Sequence, residues 1–265
     1  MKYTLKSVYS LLVRFGINPL LMWKSIIGVP FFIKDMCVFQ FQKYKSNESK
    51  YFSFGLPFPV MDERFKESGS MNGHYFHQDL LVAQRIFENK PIVHLDIGSR
   101  VDGFVAHVAS YRKIEVLDIR ETHVKLENIS FKVADLMNFD KSLLNYCDSL
   151  SCLHALEHFG LGRYNDPIKF DGYLDGLDSM HQILKQGGKF YLSVPIGKQR
   201  VEFNAHRVFS IRYLLELFKD KYIIDFFSFV DDKGDLHKNI EMNSDKIESN
   251  FDCHYGCGIF EMTKK

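Results

Sequence analysis

Two short stretches of this 265-residue sequence gather side chains able to move protons and hold anions. The first runs His154-Ala155-Leu156-Glu157-His158-Phe159-Gly160-Leu161-Gly162-Arg163-Tyr164-Asn165-Asp166, and the second is Phe203-Asn204-Ala205-His206-Arg207. An imidazole titrates near neutral pH, which makes His158 and His206 the candidate general bases. Glu157 is suited to orient an imidazole or to accept from substrate hydroxyls. Arg163 and Arg207 are suited to an acidic or phosphorylated group. Tyr164, Asp166 and Asn204 complete a polar rim for a substrate, and His154 reads as a strand-end residue bonded to backbone. The spacing His154-x-x-Glu157-His158 also matches an inverted zinc-protease pattern. That chemistry needs the motif on a helix with a further ligand downstream, whereas here it begins where a strand ends. A divalent ion assisting substrate hydroxyls stays open. Cys253 and Cys257 with His254 lack the second cysteine pair of a structural zinc site, so no residue is assigned as a metal ligand.

The elements that must position these loops alternate. Ile92–Ile97 is a short apolar run that reads as a buried strand, and Ile114–Asp118, Ile129–Val133, Ser149–Leu153 and Lys189–Val194 read as four further strands. Helical patterns cover His77–Glu88, Gly103–Ser110, Lys169–Leu184 and Ile211–Phe218, with Gly187-Gly188 expected to close the third of these. Two aromatic-rich strands follow near Tyr222–Val230 and Gly256–Thr263. Strands alternating with helices imply an α/β fold, a mostly parallel Rossmann-like sheet with helices on both faces. Residues 77–265 form this domain. Residues 1–76 form a helical N-terminal extension and loop, with two or three short helices broken by Pro19 and Pro30.

In such sheets a ligand sits beyond the carboxyl ends of the strands. The first strand ends in Asp96-Ile97-Gly98-Ser99, the second in Asp118-Ile119, and Asp135-Leu136 follows the third. A glycine at 98 lets backbone approach a ligand, and a helix starting near Gly103 would aim free N–H groups at a carboxylate. Asp118 follows Asp96 at about the spacing at which an acid meets ribose hydroxyls, and Asp135 is placed to accept from an adenine amino group. Asp96, Gly98, Ser99, Asp118, Ile119, Asp135 and Leu136 are thus the expected cofactor contacts. Caps and strand ends are the plain alternative for each acid. Arg100 stands where a dinucleotide loop keeps its second glycine. A pyrophosphate would be crowded there, which favours S-adenosylmethionine over NAD. The segment His74-Tyr75-Phe76-His77-Gln78-Asp79 either folds over the cleft, with His77 reading the substrate, or caps the next helix.

Net charge is +1, which draws no nucleic acid to the chain as a whole. Residues 1–50 nonetheless carry eight Lys/Arg against two acids, an excess of +6. A basic, apolar arm of this kind fits either a solvated helical lobe or a peripheral membrane contact through residues 1–45. Only nine uncharged residues separate Lys24 from Lys34, against the roughly 20 needed to span a bilayer. Five cysteines without framework spacing point to a reducing cytoplasm, with the inner face of its membrane as a further location.

The run Asp96–Gly98, Asp118, Asp135, SLSCLHALEHF and LKQGGKFYLSVP resembles the class I S-adenosylmethionine-dependent methyltransferase superfamily over roughly residues 90–265. HYFHQDLLVAQRIF, HLDIGSRVDGFVAHVASYRKIEVLDIR, ALEHFGLGRYNDP and VPIGKQRVEFNAHRVFS resemble domain-of-unknown-function family 268 over nearly the whole chain. That resemblance implies a methyltransferase-like protein in bacterial surface-polysaccharide biosynthesis. The expected activity is O-methylation of a sugar, nucleotide-sugar or lipid-linked glycan. An NAD-dependent sugar-modifying enzyme and a noncatalytic binding module are the alternatives.

Overall fold

The apolar runs read from the sequence are strands of one sheet in the computed structural model, which describes residues 8, 9, 11–66, 69, 71–122 and 126–265. Lys2 and Lys6 of the basic arm lie outside the described residues. The strands are β1 (His94–Ile97), β2 (Ile114–Asp118), β3 (Ile129–Val133), β4 (Cys147–Leu153), β5 (Leu184–Ile196), β6 (Arg200–Glu202), β7 (His206–Val208), β8 (Tyr222–Val230), β9 (Leu236–His237) and β10 (Gly256–Lys264). Eight of them form a sheet in the order β3-β2-β1-β4-β5-β10-β8-β9, and β6 pairs with β7 as a separate ribbon. The first five are parallel, so their carboxyl ends share one edge. The last strand, β10, enters antiparallel between β5 and β8. The order reverses between β1 and β4, which opens a crevice above those two strands.

The helices are α1 (Pro19–Lys45), α2 (His74–Asn89), α3 (Ala106–Ala109), α4 (Gly172–Ile183), α5 (Ile211–Phe218) and α6 (Ser244–Glu248). Period-two alternation sends successive strand residues to opposite faces. On one face, Leu81, Val82 and Ile86 of α2 pack with Phe104, Val116 and Tyr191. On the other, Leu177 and Met180 of α4 and Leu214 and Phe218 of α5 cover Leu95, Leu150, Leu192 and Phe260.

Three local expectations are corrected. The glycines at 187 and 188 do not end α4, which stops at Ile183 where Leu184 turns extended. They lie inside β5 instead, where its register on β4 slips between Cys147 and Ser149. The glycines thus absorb an irregularity in the strand. The helix expected over Gly103–Ser110 opens as a wide π-turn, Val101–Val105, in which Gly103 has φ −126° and ψ −107°. Pro30 does not break the N-terminal segment, although a short helical stretch at residues 11–14 does end before Pro19. Asn18 caps α1 by accepting from the Leu21 N–H, Pro19 is its first residue, and the helix runs through Pro30 to Lys45.

Contacts divide the chain into Met1–Ser70 and Met71–Lys265, so α2 belongs with the sheet. In the first unit Gly28 is buried where any Cβ would meet the Met61 carbonyl. No helix among the described residues is long and apolar enough to cross a membrane. All five cysteines carry free thiols.

Candidate functional site

The turn leaving β1 is set by a buried carboxylate. Asp96 accepts from the Ser99 N–H (3.0 Å), the Ser99 hydroxyl (2.7 Å) and the Ser151 hydroxyl (2.5 Å). Burial raises its pKa to about 6 against the pull of those donors. Asp96 and Ser99, both buried, therefore shape the turn from behind. Gly98 faces the crevice with φ +67°, and its N–H donates to the Leu117 carbonyl at 2.9 Å. A Cβ there would sit 3.2 Å from that of Ala155. Left-handed backbone and a close neighbour both call for glycine.

Beyond this turn lies an open cavity. Gly98, Asp118, Ile119, Asp135 and Leu136 line it, together with Leu117, Phe159, His158 and Tyr164. Five of the seven expected cofactor contacts therefore meet at one cavity. Asp135 Oδ1 accepts from the Met137 N–H at 2.9 Å, which fixes the carboxylate at the cavity wall. Asp118 is engaged more fully. Oδ1 accepts from the Arg120 N–H (2.8 Å) and Nε (2.9 Å), and Oδ2 accepts from Arg120 Nη2 (2.6 Å). The same guanidinium lies 4.4 Å over the Tyr164 ring. Sequence spacing found Asp118 but gave no sign that a neighbour two residues on would clasp it.

His158 stands on the cavity wall at the end of a short 3₁₀ turn, Leu156–His158. Its Nδ1 lies 2.7 Å from the Ala205 carbonyl. A carbonyl can only accept, so Nδ1 carries the proton and Nε2 keeps its lone pair. Burial pushes the His158 pKa below its ordinary value despite the Glu157 carboxylate, which has an oxygen 3.7 Å from Nε2. The ring is neutral at pH 7 and competent as a base. Arg163 also donates to the Ala205 carbonyl, at 2.8 Å, and reaches over Tyr164 at 5.3 Å. The two polar loops thus meet at one carbonyl oxygen.

Several other candidates are spent within the protein. Arg207 is 4% exposed and donates to the carbonyls of Phe159 (2.6 Å) and Phe170 (2.8 Å). It holds the His158 loop against α4 and does not line the cavity. Asp166 reaches the cavity, but its carboxylate accepts from the N–H groups of Gly160 (2.9 Å), Gly162 (3.2 Å) and Tyr164 (3.1 Å). It organises the loop. His206 lies 3.2 Å from Glu202 and against the Tyr255 ring, away from the cavity lining. Asn204 is exposed in the turn between β6 and β7. His77 sits edge-on to Phe76 in the first turn of α2, and Gly73 caps that helix, so neither His77 nor Asp79 does.

Glu157 turns to the other imidazole. It is 1% exposed, and its Oε1 lies 2.6 Å from His154 Nδ1. His154 adopts φ +52° as it leaves β4, with its N–H on the Ser193 carbonyl at 3.0 Å. The backbone bond matches the strand-end reading, but the side chain does more. His74 stacks on the His154 ring at 5.2 Å with planes 4° apart, and Tyr255 stacks on His74 at 5.4 Å. Burial lowers the His74 pKa to about 4, so it stays neutral. Burial opposes charge on His154 too, yet Cys257 and Glu157 raise its pKa well above the ordinary value. His74, Tyr255 and Cys257 were not reached from the sequence as partners of His154. They come from α2 and the last strand, and only the polar density around His74 hinted at a role.

Residues 102–256 match the family described as Caenorhabditis protein of unknown function, DUF268. No curated protein matches the sequence. Among solved structures, the chain resembles the 1,6-didemethyltoxoflavin-N1-methyltransferase of Burkholderia thailandensis, solved with 1,6-didemethyltoxoflavin and S-adenosylhomocysteine. That likeness has TM-score 0.50 and 16% identity over 71% of this chain and 78% of the other. The [4+2]-cyclase SpnF gives 0.51 and 14% over 71% and 80%. The N-methyltransferase NodS of Bradyrhizobium japonicum WM9 gives 0.50 and 11% over 74% and 99%. At these identities the likeness establishes the class I methyltransferase fold. A cyclase among the three shows that this fold carries more than one chemistry.

Proposed function

This chain belongs to the DUF268 family, and we propose that it is an S-adenosylmethionine-dependent methyltransferase. One observation carries the reading. A crevice at the strand-order reversal gathers Gly98, Asp118 and Asp135 around an apolar-walled cavity, with a neutral imidazole on the same wall. The residues fit the cofactor. Asp118 offers two acceptor oxygens to ribose hydroxyls, Asp135 accepts from an amino group, and Leu117 and Leu136 flank a flat ring. When bound, the cofactor supplies an electrophilic methyl group.

The residues of the chain then have two tasks. The cavity walls hold the reactants together, the larger part of the acceleration in a transfer of this kind. His158 Nε2 takes the proton of the acceptor hydroxyl, while the Ala205 carbonyl fixes the ring through Nδ1. We assign the acceptor as a sugar, nucleotide-sugar or lipid-linked glycan of bacterial surface-polysaccharide assembly, methylated on oxygen. Support comes from the family resemblance of the long motifs and from the polar loop that Arg163 and Tyr164 present.

Calorimetric titration with S-adenosylhomocysteine tests the cofactor. Saturable binding is expected for the wild type and its loss for Asp118→Ala. Saturable binding of NAD, with none of S-adenosylhomocysteine, would replace this reading with an oxidoreductase.

A peripheral membrane contact through residues 1–45, at the inner face of the cytoplasmic membrane, is part of the same proposal. Helix α1 exposes Leu20, Trp23, Ile26, Ile33 and Phe39 among Lys24, Lys34, Lys43 and Lys45. Apolar side chains with interspersed lysines suit an anionic interface. The only tryptophan of the chain is Trp23, so its emission reports on this helix alone. Anionic vesicles are expected to shift that emission to the blue, and high salt or Lys24→Glu with Lys34→Glu to reverse the shift. Unchanged emission on anionic vesicles would rule the contact out.

A further inference from the structure

The stacked imidazoles beside the cavity form a donor set that the mechanism above does not use. His74, His154 and Cys257 each offer one ligand atom, and the three atoms lie within 4.8 Å of one another. His154 Nε2 is buried and has no hydrogen-bond partner among the described residues. The His154 side chain is 4% exposed and Cys257 is fully buried, so water does not serve either atom freely. A buried ring nitrogen with no hydrogen-bond partner, beside a thiol, is costly unless something fills the gap.

We propose that His154 Nε2, Cys257 Sγ and one ring nitrogen of His74 bind a divalent cation of the zinc class, with the fourth position left to an exchangeable oxygen ligand. Three features select this class. Two imidazoles and a thiolate are borderline-soft donors, which suit zinc over magnesium or calcium. Three protein ligands with one open position describe a reactive zinc site rather than a closed structural one. The remaining nitrogen of His154 already has its orienting partner, Glu157 Oε1 at 2.6 Å. A carboxylate behind a histidine fixes which nitrogen faces the metal. Bonds of about 2.0–2.3 Å place tetrahedral ligands roughly 3.3–3.8 Å apart. His74 opens α2 and is half-buried, and on coordination its ring turns out of the stack on His154 to bring one nitrogen to the shared position.

The set differs from the inverted zinc-protease pattern that the same stretch spells. Glu157 stands behind His154 and does not ligate, and His158 belongs to the cavity wall. The partners of His154 come instead from α2 and β10. On coordination the Cys257 thiol loses its proton to solvent, giving up its 3.7 Å contact with Gln78 Oε1. Because His154 also lines the cofactor cavity, the fourth position lies beside the proposed transfer site. On the methyltransferase reading, an acceptor hydroxyl bound there would be polarised. The cation site itself does not depend on that reading.

The test uses the full chain, stripped with chelator and titrated with Co²⁺ in place of zinc. Cys37 is exposed and free, so it is replaced throughout by Cys37→Ser. One equivalent of Co²⁺ is expected to bind, with a thiolate-to-cobalt charge-transfer band in the near ultraviolet that Zn²⁺ abolishes. Cys257→Ser is expected to lose the band, and Glu157→Gln to weaken binding by about 10–100-fold. His74→Ala, altered at a half-buried helix start, provides a second measurement should the core variant fail to fold. It must weaken Co²⁺ binding while retaining the circular dichroism of the parent. No saturable binding by the parent overturns the proposal. So does a charge-transfer band that survives in Cys257→Ser, or unchanged affinity in His74→Ala.

Discussion

Replacing His158 with asparagine is expected to lower methyl-transfer turnover by about 10²–10⁴-fold, measured with the first sugar acceptor that turns over. Asparagine can still donate an N–H to the Ala205 carbonyl, where His158 Nδ1 now sits at 2.7 Å. It has nothing at the position of Nε2. The substitution therefore removes the base and keeps the loop. The pH profile supplies the sign. A base works only when unprotonated, and burial holds the His158 pKa below 6.5. Wild-type turnover should be level through neutral pH and fall as pH drops through that lowered pKa. The variant should lose this acid limb along with the rate. A variant that keeps wild-type turnover would remove His158 from the chemistry, and an unchanged acid limb would assign the titration to another group.

The second large effect is expected at Gly98. Its φ of +67° is costly for any residue with a Cβ, and that atom would press on Ala155 at 3.2 Å. The left-handed conformation alone costs about 1–2 kcal/mol. The larger loss should appear in cofactor binding, because this turn is one wall of the cavity. A shift of about 1 Å at a site of this kind can cost on the order of 10²-fold. Gly98→Ala should therefore weaken S-adenosylhomocysteine binding, read by calorimetry, and lower methyl-transfer turnover by about that factor. Gly187 provides the control. It too has positive φ, +73°, but open space around it and a place far from the cavity in the irregular start of β5. Gly187→Ala should pay a similar strain and bind the cofactor as before. Equal binding by both variants would show that the turn does not shape the site.

The strand ends were legible because the sheet enforces them. A buried parallel strand is apolar on both faces, so the runs of β1 and β2 stood out against their neighbours. The largely exposed edge strand β3 was found by its place in the alternation. Asp118 and Asp135 followed directly. The class of fold was legible for the same reason, since alternating strands and helices leave few topologies. What an arginine does was not legible. Arg163 and Arg207 look alike in sequence, yet Arg207 turns inward to three backbone carbonyls while Arg163 stays at the loop surface. No local pattern distinguishes a guanidinium that binds backbone from one that awaits a ligand. The glycines at 187 and 188 misled for a related reason. Glycine marks both helix ends and strand irregularities, and only pairing with β4 decides between them. The cluster of His74, His154 and Cys257 was invisible because its members share no spacing. They meet only once the last strand has been threaded antiparallel into the middle of the sheet.

The clasp of Arg120 on Asp118 bears on the order of events. Both carboxylate oxygens are taken by that side chain, which also rests on the ring of Tyr164 in the loop carrying Arg163. Ribose hydroxyls reaching Asp118 must compete with the guanidinium, and whatever frees it also changes how the loop is held. Occupancy at the nucleotide end and the shape of the acceptor end are therefore linked quantities. Such linkage is reciprocal, so an acceptor that draws Arg120 toward the loop must tighten cofactor binding by the same factor that the cofactor tightens its own.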